Sequence, residues 1–253
     1  MKVTAFVGSA RKKHTYKATE KVLQKMQSLG NVEYEIVALS DYKLGTCTGC
    51  KLCMDKGEGL CPLRDDRDVL IAKIKESDGV LFASPNYSFQ VSGLMKVFLD
   101  RLGFLFHRPE FFGKAFTCLV AQGIYGGNKI VKYLEFVGRG LGFNVTKGAV
   151  IKTLEPMTDE ARKKTEVIVE RLSRKFYREL TKKRYPEPSL FKLMIYRMSR
   201  TSMRTMLDEN YLDYRYYKEK GWFESDYYYP VKLNPLKRTM GRLFDFAARK
   251  MSA

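Results

Sequence analysis

The sequence has no uninterrupted apolar run of the roughly 20 residues that a bilayer-spanning helix needs. Its first residues, MKVTAFVGSARKK, hold too short an apolar stretch for a secretory signal and read as a buried first strand. Histidine is scarce, with two residues, and no HExxH or Ser/His/Asp arrangement appears, so hydrolase chemistry has no support. Neither a GxxxxGK[ST] loop nor a GxGxxG turn is present, which argues against a P-loop nucleotidase and a dinucleotide fold. Internal repeats and low-complexity tracts are absent, and 45% apolar with 29% charged residues is a globular composition. Acidic residues are outnumbered, 28 against 46 basic, for a net charge of +18. Such charge suits nucleic acid, an anionic membrane surface, anionic small molecules or simply a solvated surface, and charge alone does not choose. No nucleic-acid-binding motif accompanies it, which disfavours that partner.

Cysteine is also sparse, five in all, but four sit within fifteen residues: Cys47, Cys50, Cys53 and Cys61. An odd count with CxxCxxC spacing argues against a disulfide framework and for a reducing, cytoplasmic setting. Four thiolates this close suit a soft metal, either zinc or an iron–sulfur cluster, with free or redox-active thiols as the alternative. Cys118, in the apolar run AFTCLVA, reads as a small buried hydrophobe.

Up to about residue 155, strand and helix patterns alternate. Strands are expected at 2–7, 33–39, 79–83, 115–121 and 143–151, with helices at 15–29, 66–76, 92–106 and 128–140. Five such units predict an α/β, flavodoxin-like parallel sheet of order 2-1-3-4-5 with helices on both faces. A mainly helical, basic and aromatic-rich extension is expected over 156–253. It has helices at 158–183 and 190–207, separated by YPEPS, where proline stops the first of them.

Ligands in such sheets bind at the carboxyl ends of the strands, and three loops there are unusual. The first, Gly8 to Thr15, offers hydroxyls, a guanidinium and free N–H groups at a helix N-terminus, which suits a phosphate monoester; an ordinary capped turn is the alternative. The second, Ser84 to Ser92, combines a rigid Pro85 with the faces of Tyr87 and Phe89, suited to a flat heterocycle or to capping the core. The third, AQGIYGGN, lets backbone approach a ligand closely.

Taken together, GSARKKHT, SPNYSFQVSGLMKVFLDR and AQGIYGG resemble the NAD(P)H-dependent FMN reductase branch of the flavodoxin-like superfamily, over residues 1–155. That resemblance implies FMN as cofactor and NAD(P)H as electron donor. It places Ser9, Arg11, His14 and Thr15 at the FMN phosphate and Pro85, Asn86, Tyr87, Ser88 and Phe89 around the ring, with Gln122, Gly123 and Gly126 flanking it. Ala10 departs from the proline many relatives carry. No side chain is required as a catalytic acid or base. The cysteine loop resembles that of iron–sulfur flavoproteins, which implies a [4Fe–4S] cluster on Cys47, Cys50, Cys53 and Cys61. An HRPxFFGK segment holds His107, which faces the flavin in one reading and is structural in the other.

The expected function is an FMN-dependent oxidoreductase passing electrons from NAD(P)H to a quinone, a nitro- or azo-compound, or a redox protein. The alternative is an electron-transfer iron–sulfur flavoprotein with no small-molecule substrate of its own. Helix 190–207, basic and methionine-rich, is expected to mediate self-association into a homo-oligomer rather than membrane contact. Trp222, Phe223 and Tyr227 to Tyr229 are expected to cover a flavin site or line a substrate pocket.

Overall fold

A computed structural model describes residues 1–182 and 185–252. The chain divides into two compact units, one of Met1–Thr48 with Leu63–Lys183, the other of Gly49–Pro62 with Arg184–Ala253.

The first unit alternates strand and helix. Its strands are β1 (Lys2–Val7), β2 (Glu33–Ala38), β3 (Gly79–Tyr87), a short β4 (Gln90–Val91), β5 (Ala115–Gln122), β6 (Asn144–Val145) and β7 (Ala149–Lys152). The helices are α1 (His14–Leu29), α3 (Arg67–Glu76), α4 (Gly93–Arg101), α5 (Gly127–Gly140) and α6 (Asp159–Leu180); the four-residue α2 (Leu52–Asp55) belongs to the second unit. Neighbours in the sheet run β2-β1-β3-β5-β6, all parallel, with β7 also beside β5 and β4 antiparallel to β3. The five expected strand positions are therefore present in the order 2-1-3-4-5, and the fold is flavodoxin-like.

Alternation along the strands sorts two cores. Val3, Ala5 and Val7 face α1 and α6, packing with Leu23, Met26, Leu172 and Phe176. On the other face Phe6, Phe82, Phe116 and Phe143 form a chain of aromatic contacts, the Phe82–Phe116 centroids lying 5.0 Å apart.

Three expectations need correction. The fifth strand is broken into β6 and β7, because one extra residue intervenes: Val145 pairs with Phe116 but Ala149 with Leu119, so three residues here oppose two of β5. Helix 92–106 ends at Arg101, and a 3-10 turn, Gly103–Phe106, completes it. Helix α6, assigned above to the extension, lies in the first unit: its Ser173 Oγ donates to Val22 O of α1 at 3.1 Å.

The second unit contains α2, α7 (Leu190–Met206), α8 (Leu212–Glu219) and α9 (Pro235–Ser252). Its centre is aromatic. Tyr196 Oη donates to Trp222 O at 2.6 Å, and the Trp222 ring meets Tyr217 and Tyr228 with centroids 4.9 and 4.7 Å apart. Trp222, Phe223 and Tyr227 pack within their own unit, where Trp222 and Tyr227 to Tyr229 also line a cavity of about 630 Å³. No helix among the described residues is long and apolar enough to cross a membrane.

Candidate functional site

At the carboxyl edge of the sheet a cleft of about 340 Å³ opens in the first unit. Four loops line it. The first contributes Ser9, Arg11, Lys13, His14 and Thr15, the second Pro85, Asn86 and Tyr87, the third Ala121 and Gly123, and the segment after β7 adds Thr153, Leu154 and Glu155.

The first loop is held open for an anion. Helix α1 begins with no side-chain cap and no acidic residue in its first turn, so its terminal N–H groups and its positive dipole end stay available. Arg11 and Lys13 make no ion pair among the described residues, whereas Lys12 is turned away to Asp41 at 3.1 Å. Ser9 Oγ donates to Arg11 O at 3.0 Å and shapes the turn. His14 Nε2 lies 2.8 Å from Glu155 Oε1.

Serine side chains tie the first loop to the second. Ser92 Oγ donates to Gly8 O and caps α4 by accepting from Met95 N, while Ser84 Oγ accepts from Ser92 N at 3.0 Å. A Cβ at Gly8 would sit 2.7 Å from Met95 Cβ, so only glycine lets β1 turn so close to α4.

Beyond Pro85 the chain forms a tight hairpin in which Tyr87 pairs with Gln90. Both residues at its tip, Ser88 and Phe89, have positive φ (49° and 61°), a strained choice for side chains other than glycine. The hairpin leaves Tyr87 and Phe89 exposed and sets Phe89 beside Tyr125, centroids 5.1 Å apart. Asn86 Nδ2 donates to Tyr125 O at 2.9 Å, joining the second loop to the third, while its buried Oδ1 has no hydrogen-bond partner among the described residues.

Of the twelve residues expected at the flavin, Ser9, Arg11, His14, Thr15, Pro85, Asn86, Tyr87 and Gly123 line the cleft. Ser88, Phe89, Gln122 and Gly126 do not. Phe89 and Gly126 meet each other behind the hairpin, where a Cβ on Gly126 would lie 3.0 Å from the Phe89 ring. Gln122 is spent on its own loop: Oε1 accepts from Gly127 N at 2.6 Å and Nε2 donates to Ile124 O at 3.3 Å. His107 is exposed and is not part of the lining. Lys13 and residues 153–155 were missed; the carboxyl-edge rule, applied to the loop after the fifth strand, would have found the latter.

FMN fits this donor set: an uncapped helix N-terminus, unpaired cations and hydroxyls for a phosphate, and an orphaned amide oxygen beside an aromatic hairpin for a ring. Residues 1–153 match the NADPH-dependent FMN reductase family. The chain belongs to that family. An iron–sulfur flavoprotein of Archaeoglobus fulgidus is 32% identical over 88% of this chain and all of its own length. Another, from Clostridioides difficile, is 29% identical over 74% of this chain and 82% of its own. Among solved structures, RosB with a bound riboflavin-5'-phosphate derivative superposes with a TM-score of 0.59 at 14% identity, covering 93% of this chain and 92% of RosB. That likeness speaks for the fold. The protein is accordingly a flavin oxidoreductase that binds FMN.

The cysteine loop is a different matter. Its neck is clamped within the first unit: Asp65 accepts from Gly45 N at 2.9 Å and Asp66 from Lys43 N at 2.7 Å. Cys47 and Cys50 are exposed, Cys53 is half-buried, Cys61 is buried, and none is in a disulfide. Among the described residues no three of His, Cys, Asp or Glu converge as a metal-binding group, so the expected quartet is not assembled. The physical reason is local. Cys53 is taken up in helix α2, Cys61 follows a 3-10 turn, and left-handed Gly49 and Lys51 redirect the chain between Cys47 and Cys53. The donors match a soft metal in type and number but not in arrangement. Cys118 behaves as expected: burial pushes its thiol well up, and Sγ donates to Val131 O at 3.7 Å.

Proposed function

We propose that the protein takes electrons from NAD(P)H and passes them to a small-molecule acceptor of the quinone, nitro- or azo-compound class, or to a redox protein. The observation that carries this reading is the cleft itself, where an uncapped, cation-flanked helix N-terminus and an exposed aromatic hairpin meet. FMN, when bound, supplies the hydride and electron chemistry, and the protein supplies binding, orientation and electrostatics. Arg11, Lys13 and the first-turn N–H groups of α1 would hold the phosphate, with Ser9 and Thr15 as hydroxyl partners. Tyr87 and Asn86 would orient the ring, and Pro85 fixes the turn that presents them. No residue needs to act as an acid or base.

We also propose that Cys47, Cys50, Cys53 and Cys61 ligate a [4Fe–4S] cluster once the loop closes on it. The relatives' name and the cysteine spacing support this; the closed arrangement is part of the proposal. Lys51, Lys56 and Arg64 would offset the cluster's negative charge.

Arg11→Ala combined with Thr15→Ala should weaken FMN retention about tenfold or more; full retention overturns the phosphate assignment. Anaerobic iron and acid-labile sulfide should each reach about four per chain, and iron-free protein with stoichiometric FMN and normal NAD(P)H oxidation removes the cluster. Turnover with soluble acceptors separates this reading from that of an electron-transfer protein without its own substrate.

A further inference from the structure

We propose that the outer face of α9 is a docking surface for an anionic lipid bilayer. The inference is independent of the flavin reading.

Helix α9 is PLKRTMGRLFDFAARKMS, with a single acidic residue, Asp245. That carboxylate is turned inward. It accepts from Arg197 Nη1 at 2.9 Å, Arg200 Nη2 at 2.6 Å and Thr201 Oγ1 at 2.8 Å, all on α7. Gly241 and Ala248 are buried on the same side. The remaining face therefore carries no negative charge.

Leu236, Leu243 and Phe246 are 67%, 54% and 68% exposed. At 100° per residue they fall within an arc of about 80°, opposite Gly241, Asp245 and Ala248. Three large apolar side chains in a row on an outward helix face are not core packing. Arg238, Arg242, Arg249 and Lys250 are exposed along this helix, and none has an ion-pair partner among the described residues. By the same wheel Lys250 lies within the arc and Arg242 and Arg249 flank it on one side, and an apolar stripe accompanied by cations and no acidic residue is the pattern of a helix lying in the plane of a lipid interface.

Charge selects the occupant. A second copy docking face to face would oppose two cationic surfaces on chains of +18 each. Nucleic acid would use the arginines and leave the leucines and Phe246 in water. An anionic bilayer satisfies both halves of the face, the headgroups taking the cations and the acyl boundary the apolar stripe. The helix is already formed and pinned to α7 through Asp245, so docking orders little new chain.

Flotation of the full-length, FMN-loaded protein with vesicles tests this. Phosphatidylcholine vesicles containing phosphatidylglycerol should carry the protein, and phosphatidylcholine alone should not. Arg242→Gln and Arg249→Gln should each weaken the partition about fivefold. Leu243→Ser with Phe246→Ser should abolish it at unchanged FMN content and turnover. Equal partition to both vesicles overturns the proposal, as does binding that survives the double serine variant, which would be charge adsorption alone. A lipid-indifferent protein whose dimer in sedimentation is lost in that variant would overturn it in favour of a second copy. Binding to duplex DNA that the serine variant retains, without flotation, would overturn it in favour of nucleic acid.

Discussion

Asp65 is the residue on which the neck of the cysteine loop depends. One carboxylate takes Gly45 N, Arg67 N and two nitrogens of Arg101, the last pair at 3.0 Å each, with both side chains almost completely buried. Burial pushes the carboxyl up, but the Arg101 hydrogen bonds and the two backbone N–H groups outweigh it and hold it below its ordinary value of 3.8. A depressed carboxylate stabilises the fold above its unfolded value, and that contribution is lost as pH falls through the lower folded value. Asp65→Asn removes the carboxylate that Arg101 meets at 3.0 Å in a buried setting and should cost about 3–5 kcal/mol in denaturant unfolding at neutral pH. The acid limb of the wild-type stability curve should flatten in the variant. Ser92→Ala removes both the cap of α4 and the bond to Gly8 O; a loss of about 1–2 kcal/mol is expected, with weaker FMN retention in dialysis. The Asp65-Asp66 pair is visible in the sequence as the opening of α3. Its clamp on Lys43 and Gly45 is not, because those partners lie some twenty positions earlier and only the folded loop brings them back.

Among the elements, α6 shows where periodicity stops being informative. Its amphipathic pattern marks a helix, and Thr158 caps it by accepting from Ala161 N at 3.2 Å. The pattern does not say what the apolar face meets. The structure sets Phe176 and Leu180 against Gly79, where a Cβ would lie 3.2 and 2.9 Å from them, and Tyr177 against Gly30. Phe176→Ala should therefore cost about 3–5 kcal/mol and lower the midpoint of FMN release on heating. A chain ending at residue 155 should fail to hold FMN, since Val169, Leu172, Phe176 and Leu180 are part of the same core as β1 and α1. Retention of FMN by that shortened chain would show α6 to be dispensable. Strand breakage was equally hidden: a nine-residue alternating run reads as continuous, and only the register with β5 shows residues 146–148 set against two residues of that strand.

Over the whole molecule the two units should fail at opposite ends of the pH scale. The first carries the acid-sensitive Asp65. The second buries tyrosines: burial pushes Tyr228 and Tyr229 up from 10.0 to about 12. A raised phenol contributes stability fully present below its unfolded value and lost as pH rises from about 10 towards 12. The single tryptophan, Trp222, sits in that aromatic cluster and reports on it. Its fluorescence should change cooperatively between those pH values, whereas FMN release should mark the acid transition. Coincident loss of both signals at high pH would mean that the units unfold together.

By itself the sequence determined the sheet. Apolar runs of period two, separated by amphipathic runs of period 3.6, admit a parallel five-position order and little else, because each strand must be buried on both faces. It also determined the chemistry of the first loop, since hydroxyls and cations just before a helix mean an anion wherever the helix ends up. Tertiary structure alone decided which of those loops share a cleft, that Gln122 and Phe89 serve their own loops, and that residues 153–155 join the site. It alone decided that Asp245 faces inward and leaves the outer face of α9 without an acidic residue. The difference is one of range: local spacing fixes which way a side chain leaves its own element, and only the packing of distant elements fixes what it meets there.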